Sequence, residues 1–98
     1  MTIEKKQENG TLTLALAGRL DTNTAPELEA ELKLDGVSEV VFDFVALDYI
    51  SSAGLRVLLA AQKAMMSSGG KMSIANANEM VRGVFQITGL DAVFTLVP

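Results

Sequence analysis

Leu12, Leu14 and Leu16 alternate with Thr11, Thr13 and Ala15 along Thr11–Ala17. Strand side chains point to opposite faces in turn, so this period of two predicts a strand with one face buried. The preceding run, Thr2–Gln7, is separated from it by Glu8-Asn9-Gly10. Asn-Gly between two extended runs predicts a β-hairpin, because both residues tolerate the positive φ of a tight turn. Gly18-Arg19-Leu20-Asp21-Thr22-Asn23 then reads as a loop.

Beyond that loop the period becomes helical. Thr24-Ala25-Pro26-Glu27 predicts a helix start: Thr24 can cap, Pro26 sits in the first turn where its missing N–H is harmless, and Glu27 and Glu29 complement the dipole. Leu28, Leu32 and Leu34 are the inward positions and Gly36 the expected end. Glu39-Val40-Val41-Phe42-Asp43-Phe44 is a nearly continuous apolar run, the pattern of a central strand covered on both faces, and Val45–Ile50 follows as a loop. From Ser52 to Met66, Leu55, Leu58, Leu59, Gln62 and Met65/Met66 fall on one helical face, with Arg56, Ala60 and Lys63 on the other. Ser67-Ser68-Gly69-Gly70 stops this helix. Lys71–Ala75 reads as a strand, Asn78–Ile87 as a helix capped by Asn76 or Asn78 with Gly89 beyond its end, and Ala92–Val97 as the last strand.

A hairpin followed by alternating helices and strands predicts an α/β fold. Its sheet is mixed but mostly parallel, opens with the hairpin and carries the helices packed against it through right-handed crossovers. The chain has 98 residues and no repeat, linker or low-complexity tract, so residues 1–98 are expected to form one domain.

Composition narrows the chemistry. Hydrophobic residues make up 49% of the chain but aromatics only 5%, so the core must be built from Leu, Val, Ile, Ala and Met. The net charge is −4 and the eight Lys and Arg are dispersed, which argues against nucleic acid or an anionic membrane surface as partner. There is no Cys and no His, which removes thiol nucleophiles, disulfides, the usual zinc sites and the commonest general base. No cofactor or metal is expected. No run approaches the roughly 20 apolar residues that span a bilayer, and Met1-Thr2-Ile3-Glu4-Lys5 does not read as a signal peptide, so a cytoplasmic location is expected.

One segment carries candidate chemistry: Asp43 to Leu59, centred on Ser51-Ser52-Ala53-Gly54. It places two hydroxyls and a glycine where a helix presents unpaired N–H groups, which favour an anion by about 0.3–1 kcal/mol at an exposed site. Gly54 lacks a side chain that would obstruct another molecule. A phosphate on either serine would add about −1.5 to −2 charges, enough to make or break an interface. The simpler reading is that Ser51 or Ser52 caps the helix, although Gly54 stands where a capping box would carry Glu or Gln.

Four segments in order resemble the STAS domain family, which includes the bacterial anti-sigma-factor antagonists. Gly18-Arg19-Leu20-Asp21 with Ala25-Pro26-Glu27-Leu28 is similar to the family's Gly-x-Leu/Ile-Asp loop and first helix. Val40-Val41-Phe42-Asp43-Phe44 resembles its central strand. Tyr49-Ile50-Ser51-Ser52-Ala53-Gly54-Leu55 resembles its Asp-Ser-Ser-Gly-Leu helix start, and Thr88-Gly89-Leu90-Asp91-Ala92-Val93-Phe94 its closing segment. There is one departure. Aligned on Gly54 and Leu55, Ala53 stands where the best-known antagonists carry the phosphorylated Ser or Thr, and Ser51 where they carry Asp. Ser-Ser-Ala-Gly-Leu-Arg is similar to a recurrent variant in which Ser52 becomes the acceptor, with Ser51 the second candidate.

The resemblance implies a non-enzymatic partner switch. The unphosphorylated chain would bind an anti-sigma factor or similar GHKL-type serine kinase through Asp21, Ser51, Ser52, Ala53, Gly54 and Arg56. Phosphorylation would break the complex and a PP2C-type phosphatase would restore it. The alternative is an unphosphorylated STAS scaffold docking on a transporter or signalling complex. Asp21 is also readable as a turn or cap residue, Asp43 at a strand end as meeting the N-terminus of the second helix or serving a turn, Asp48 as surface charge, Arg56 and Lys63 as a solvated face, and the methionines as core filler.

Overall fold

The computed structural model describes all 98 residues, Met1–Pro98. The opening hairpin forms as the Asn-Gly signal predicts. Strand β1 (Thr2–Glu8) pairs antiparallel with β2 (Thr11–Leu20), and Asn9 and Gly10 take the turn with φ of 52° and 83°. Helix α1 spans Ala25–Glu31, β3 Glu39–Ile50, α2 Ser52–Ser67, β4 Lys71–Ala75, α3 Glu79–Thr88 and β5 Thr95–Val97. The strands lie in the order β1-β2-β3-β4-β5, and every pair after the hairpin is parallel.

Register shows which face carries the core. Leu12 pairs with Val40 and Val40 with Met72; Leu14 pairs with Phe42 and Phe42 with Ile74; all six are buried. The neighbouring rows, Thr13-Val41-Ser73-Thr95 and Ala15-Asp43-Ala75-Val97, contain no buried residue. The helices therefore cover one face of the sheet, not both faces of β3 as its apolar run suggested. Val41 made that run continuous, yet it points to the open face and is only half-buried.

Both strands that reach the start of α2 run further than the period of two indicates. The buried positions of β3 step by two through Val40, Phe42 and Phe44, then by three to Leu47 and again to Ile50. The pairing with β2 shifts between Ala15 and Ala17 and between Gly18 and Arg19, so β3 holds one extra residue at each place. Such bulges reset which side chains point inward while the strand continues. The expected loop over Val45–Ile50 is therefore strand, and so are Gly18, Arg19 and Leu20 of the expected loop after β2. Gly18 takes φ 101°, a value that a side chain would strain.

The helices depart from expectation at their ends. Helix α1 stops at Glu31 rather than at Gly36; Leu32 leaves helical geometry at ψ 70°, and Gly36 instead serves a turn closed by Val37 N–H on Leu34 C=O. Helix α2 buries Val57 and Ala61 as well as Leu55, Leu58 and Met65, because α1 covers it on one side and the sheet on another. Met66 is exposed. Asn78 caps α3 by accepting from Val81 N–H at 2.8 Å, and Gly89 closes it in the left-handed conformation. The last strand begins at Thr95, not Ala92: Leu90–Ala92 form a 3₁₀ turn, and Phe94 is held against Phe85 of α3 edge-on at 5.5 Å.

Candidate functional site

The long β2 and β3 end side by side at Leu20 and Ile50, and α2 starts two residues later. Ser51 makes the junction. Its N–H donates to Leu20 C=O at 2.9 Å, and its own C=O accepts the first helical bond, from Leu55 N–H at 3.0 Å. Its backbone has the extended geometry of an N-cap residue, φ −103° and ψ 175°, but its side chain caps nothing. The Ser51 hydroxyl is buried and has no hydrogen-bond partner. Neither serine therefore behaves as the simple cap that a Ser-Ser pair before a helix suggests. Ser52 occupies the first helical position and is exposed; Ala53 is half-buried.

Gly54 faces inward and is buried. A β-carbon there would lie 2.7 Å from Leu20 Cγ and 3.0 Å from Ile50 Cγ1. The expectation that its bare backbone clears the way for another molecule is corrected: the missing side chain lets α2 start directly on the ends of β2 and β3. Gly54 thereby helps hold Ser52 at the surface without itself being available for contact.

Asp21 follows Leu20 and so opens its turn beside the start of α2. Its Oδ1 accepts from Asn23 N–H at 3.0 Å and Thr24 N–H at 3.1 Å. Thr24 does not cap α1; its hydroxyl accepts from Asp21 N–H and donates to Arg19 C=O, both at 2.8 Å. Partial desolvation pulls the Asp21 pKa up, but the N–H groups of Thr24 and Asn23, the Thr24 hydroxyl and the Arg19 guanidinium outweigh it and hold the carboxyl below its ordinary value. Arg19, 3.9 Å from Asp21 Oδ2 through Nε, also lies over the Tyr49 ring at 4.2 Å from its centroid. Arg19 and Tyr49 were not singled out from sequence. They meet because β2 and β3 continue far enough to pair them, which is the part of both strands that periodicity missed.

Arg56 is exposed on α2 one turn beyond Ser52, and none of the three ion pairs in the chain, Lys5–Glu31, Lys6–Glu8 and Arg19–Asp21, includes it. Asp43 lies elsewhere. Its Oδ1 accepts from Val45 N–H and from the Asn76 side chain, tying β3 to the β4–α3 connection rather than meeting the start of α2. Asp48 and Lys63 are exposed. Asp21, Ser51, Ser52, Ala53 and Gly54 are thus brought to one end of the sheet, with Arg56 one turn along the helix.

The STAS domain family model matches residues 2–98, and the chain belongs to that family. BtrV of Bordetella bronchiseptica, whose name assigns it provisionally to the anti-sigma factor antagonists, is 37% identical over 97 residues, covering 96% of this chain and 84% of BtrV. The crystal structure of an anti-sigma factor antagonist from Mycobacterium paratuberculosis superposes with a TM-score of 0.86 at 27% identity, over 99% of this chain and 85% of that one. The unphosphorylated form of the antagonist SpoIIAA shares the fold, with a TM-score of 0.85 at 20% identity over 99% of this chain and 89% of its own. No helix is long and apolar enough to cross a membrane.

Proposed function

We propose that the chain is a single-domain anti-sigma-factor antagonist acting as a phosphorylation-controlled partner switch without enzymatic activity of its own. The observation that carries the reading is the exposed Ser52 hydroxyl at the first position of α2, beside a Ser51 hydroxyl sealed from solvent. The names of the relatives support the antagonist role. Unmodified protein docks this end of the sheet, with Asp21, Ala53 and Arg56 around Ser52, on a cytoplasmic anti-sigma factor that is itself a GHKL-type serine kinase. The kinase supplies ATP and metal. Transfer joins Ser52 Oγ to the γ-phosphorus and breaks that phosphorus from the departing ADP, and the hydroxyl proton leaves to a base of the kinase. The resulting charge of about −1.5 to −2 on a formerly neutral contact expels the kinase. A PP2C-type phosphatase returns the hydroxyl.

The test is incubation of wild type, Ser52→Ala and Ser51→Ala with the cognate kinase and labelled ATP. Labelling lost only in Ser52→Ala is expected; undiminished labelling of Ser52→Ala would overturn the assignment. Ala53 favours a second reading, because an apolar methyl stands where the family's best-known antagonists carry their acceptor. In that reading the same surface is a constitutive docking face on a transporter or signalling complex. It predicts stable co-purification with a partner that ATP does not dissociate.

A further inference from the structure

We propose that Arg56 is the chain's own receptor for the phosphoryl group on Ser52, an inference that rests on the reading of Ser52 as the acceptor. Ser52 and Arg56 are four residues apart on α2, so they are neighbours on one helical face. Helical side chains lean toward the N-terminus, so the stem of Arg56 covers the turn that Ser52 opens. Both residues are exposed, and Arg56 has no ion-pair partner that a phosphate would need to displace.

The surroundings add to the attraction. The first turn of α2 carries no acidic residue, and the buried Ser51 hydroxyl makes no cap, so no side chain offsets the positive end of the helix. A guanidinium presents parallel N–H donors that fit two phosphate oxygens at once. On modification the phosphoryl group folds along α2 onto Arg56 instead of extending into solvent.

This pairing makes the switch act twice. In the unmodified chain Arg56 is a free cation beside the hydroxyl, available to an acidic group of the kinase. In the modified chain a dianion has been added and the cation has been taken up internally, so the partner loses an attraction as well as meeting a repulsion. The pair also favours the fully ionised phosphate, whose second pKa is ordinarily about 6.

The experiment uses full-length protein carrying genetically encoded phosphoserine at position 52. The second phosphate pKa is read by ³¹P NMR titration in wild type, Arg56→Gln and Arg56→Lys. The expected result is a rise of about half a unit in Arg56→Gln, a threefold change in the ionisation constant. Arg56→Lys recovers part of it, because a lysine supplies the charge without the planar fork. An unchanged pKa in Arg56→Gln would overturn the proposal, provided the circular dichroism of this exposed-site variant matches wild type. Because the phosphoserine is encoded, no kinase is needed. Failure of the clamp therefore shows here, whereas failure of the acceptor assignment shows only as persistent kinase labelling of Ser52→Ala.

Discussion

Ser51 and Ser52 are adjacent in the chain and opposite in environment: the Ser51 hydroxyl is buried without a partner, while Ser52 stands exposed at the first position of α2. The difference comes from the backbone. Ser51 N–H is tied to Leu20 C=O, which turns the Ser51 side chain into the junction of strand and helix, and the helix begins with the next residue.

Ser51→Ala tests this directly. Losing a working N-cap costs about 0.5–2 kcal/mol, whereas removing a buried hydroxyl that bonds to nothing relieves an uncompensated desolvation. Chemical denaturation is expected to show Ser51→Ala as stable as wild type or more so. A loss of about 1 kcal/mol would mean that the hydroxyl caps the helix after all.

Gly54→Ala is expected to destabilise the fold by about 1–3 kcal/mol, the usual effect of overpacking a core. Its new methyl would press on Leu20 and Ile50, which are themselves buried. Ala53→Gly one residue earlier provides the comparison, since Ala53 is only half-buried and any loss there reflects helix propensity. Denaturation midpoints of both variants check the ranking; a neutral Gly54→Ala would contradict the packing account.

Acidification should expose the contribution of Asp21. Its carboxyl titrates below the ordinary value in the folded chain, held down by the Thr24 and Asn23 N–H groups, the Thr24 hydroxyl and Arg19 against partial desolvation. The folded state therefore takes up the proton less readily than the unfolded chain. The stabilisation is complete above the ordinary aspartate pKa of about 3.9 and is lost as pH falls through the folded value. Asp21→Asn should be less stable than wild type at neutral pH, with the gap closing as pH falls below the ordinary aspartate value and through the lower value of the folded chain. A gap that stays constant across this range would remove the carboxylate from the account.

What could be read in advance, and what could not, divides on physical lines. The hairpin at Asn9-Gly10, the strand at Lys71–Ala75 and the α3 boundary at Gly89 rest on local turn and cap chemistry, and each formed where that chemistry placed it. The last three residues of β2 and the far half of β3 read as loops in the sequence because bulges in β3 break the period of two just where Phe44 gives way to Leu47 and Ile50. The same bulges bring Arg19 onto Tyr49, so that pair was invisible to a periodicity argument. Both serines are legible in the sequence as the start of α2. Which hydroxyl faces solvent is not, since it depends on a bond between Ser51 and Leu20, residues far apart in sequence. Gly54 was noticed for its missing side chain, but only the packing of Leu20 and Ile50 reveals that the space is filled from within.

The central claim is that Ser52 is the modified residue of a reversible switch. Intact-mass and fragment analysis of the protein from its native cells tests it most directly. The account predicts a fraction carrying a single phosphoryl group located on Ser52, changing with growth conditions and absent from Ser52→Ala. Protein that is unmodified under every condition in which its kinase is present, or that carries the group on Ser51, would contradict it.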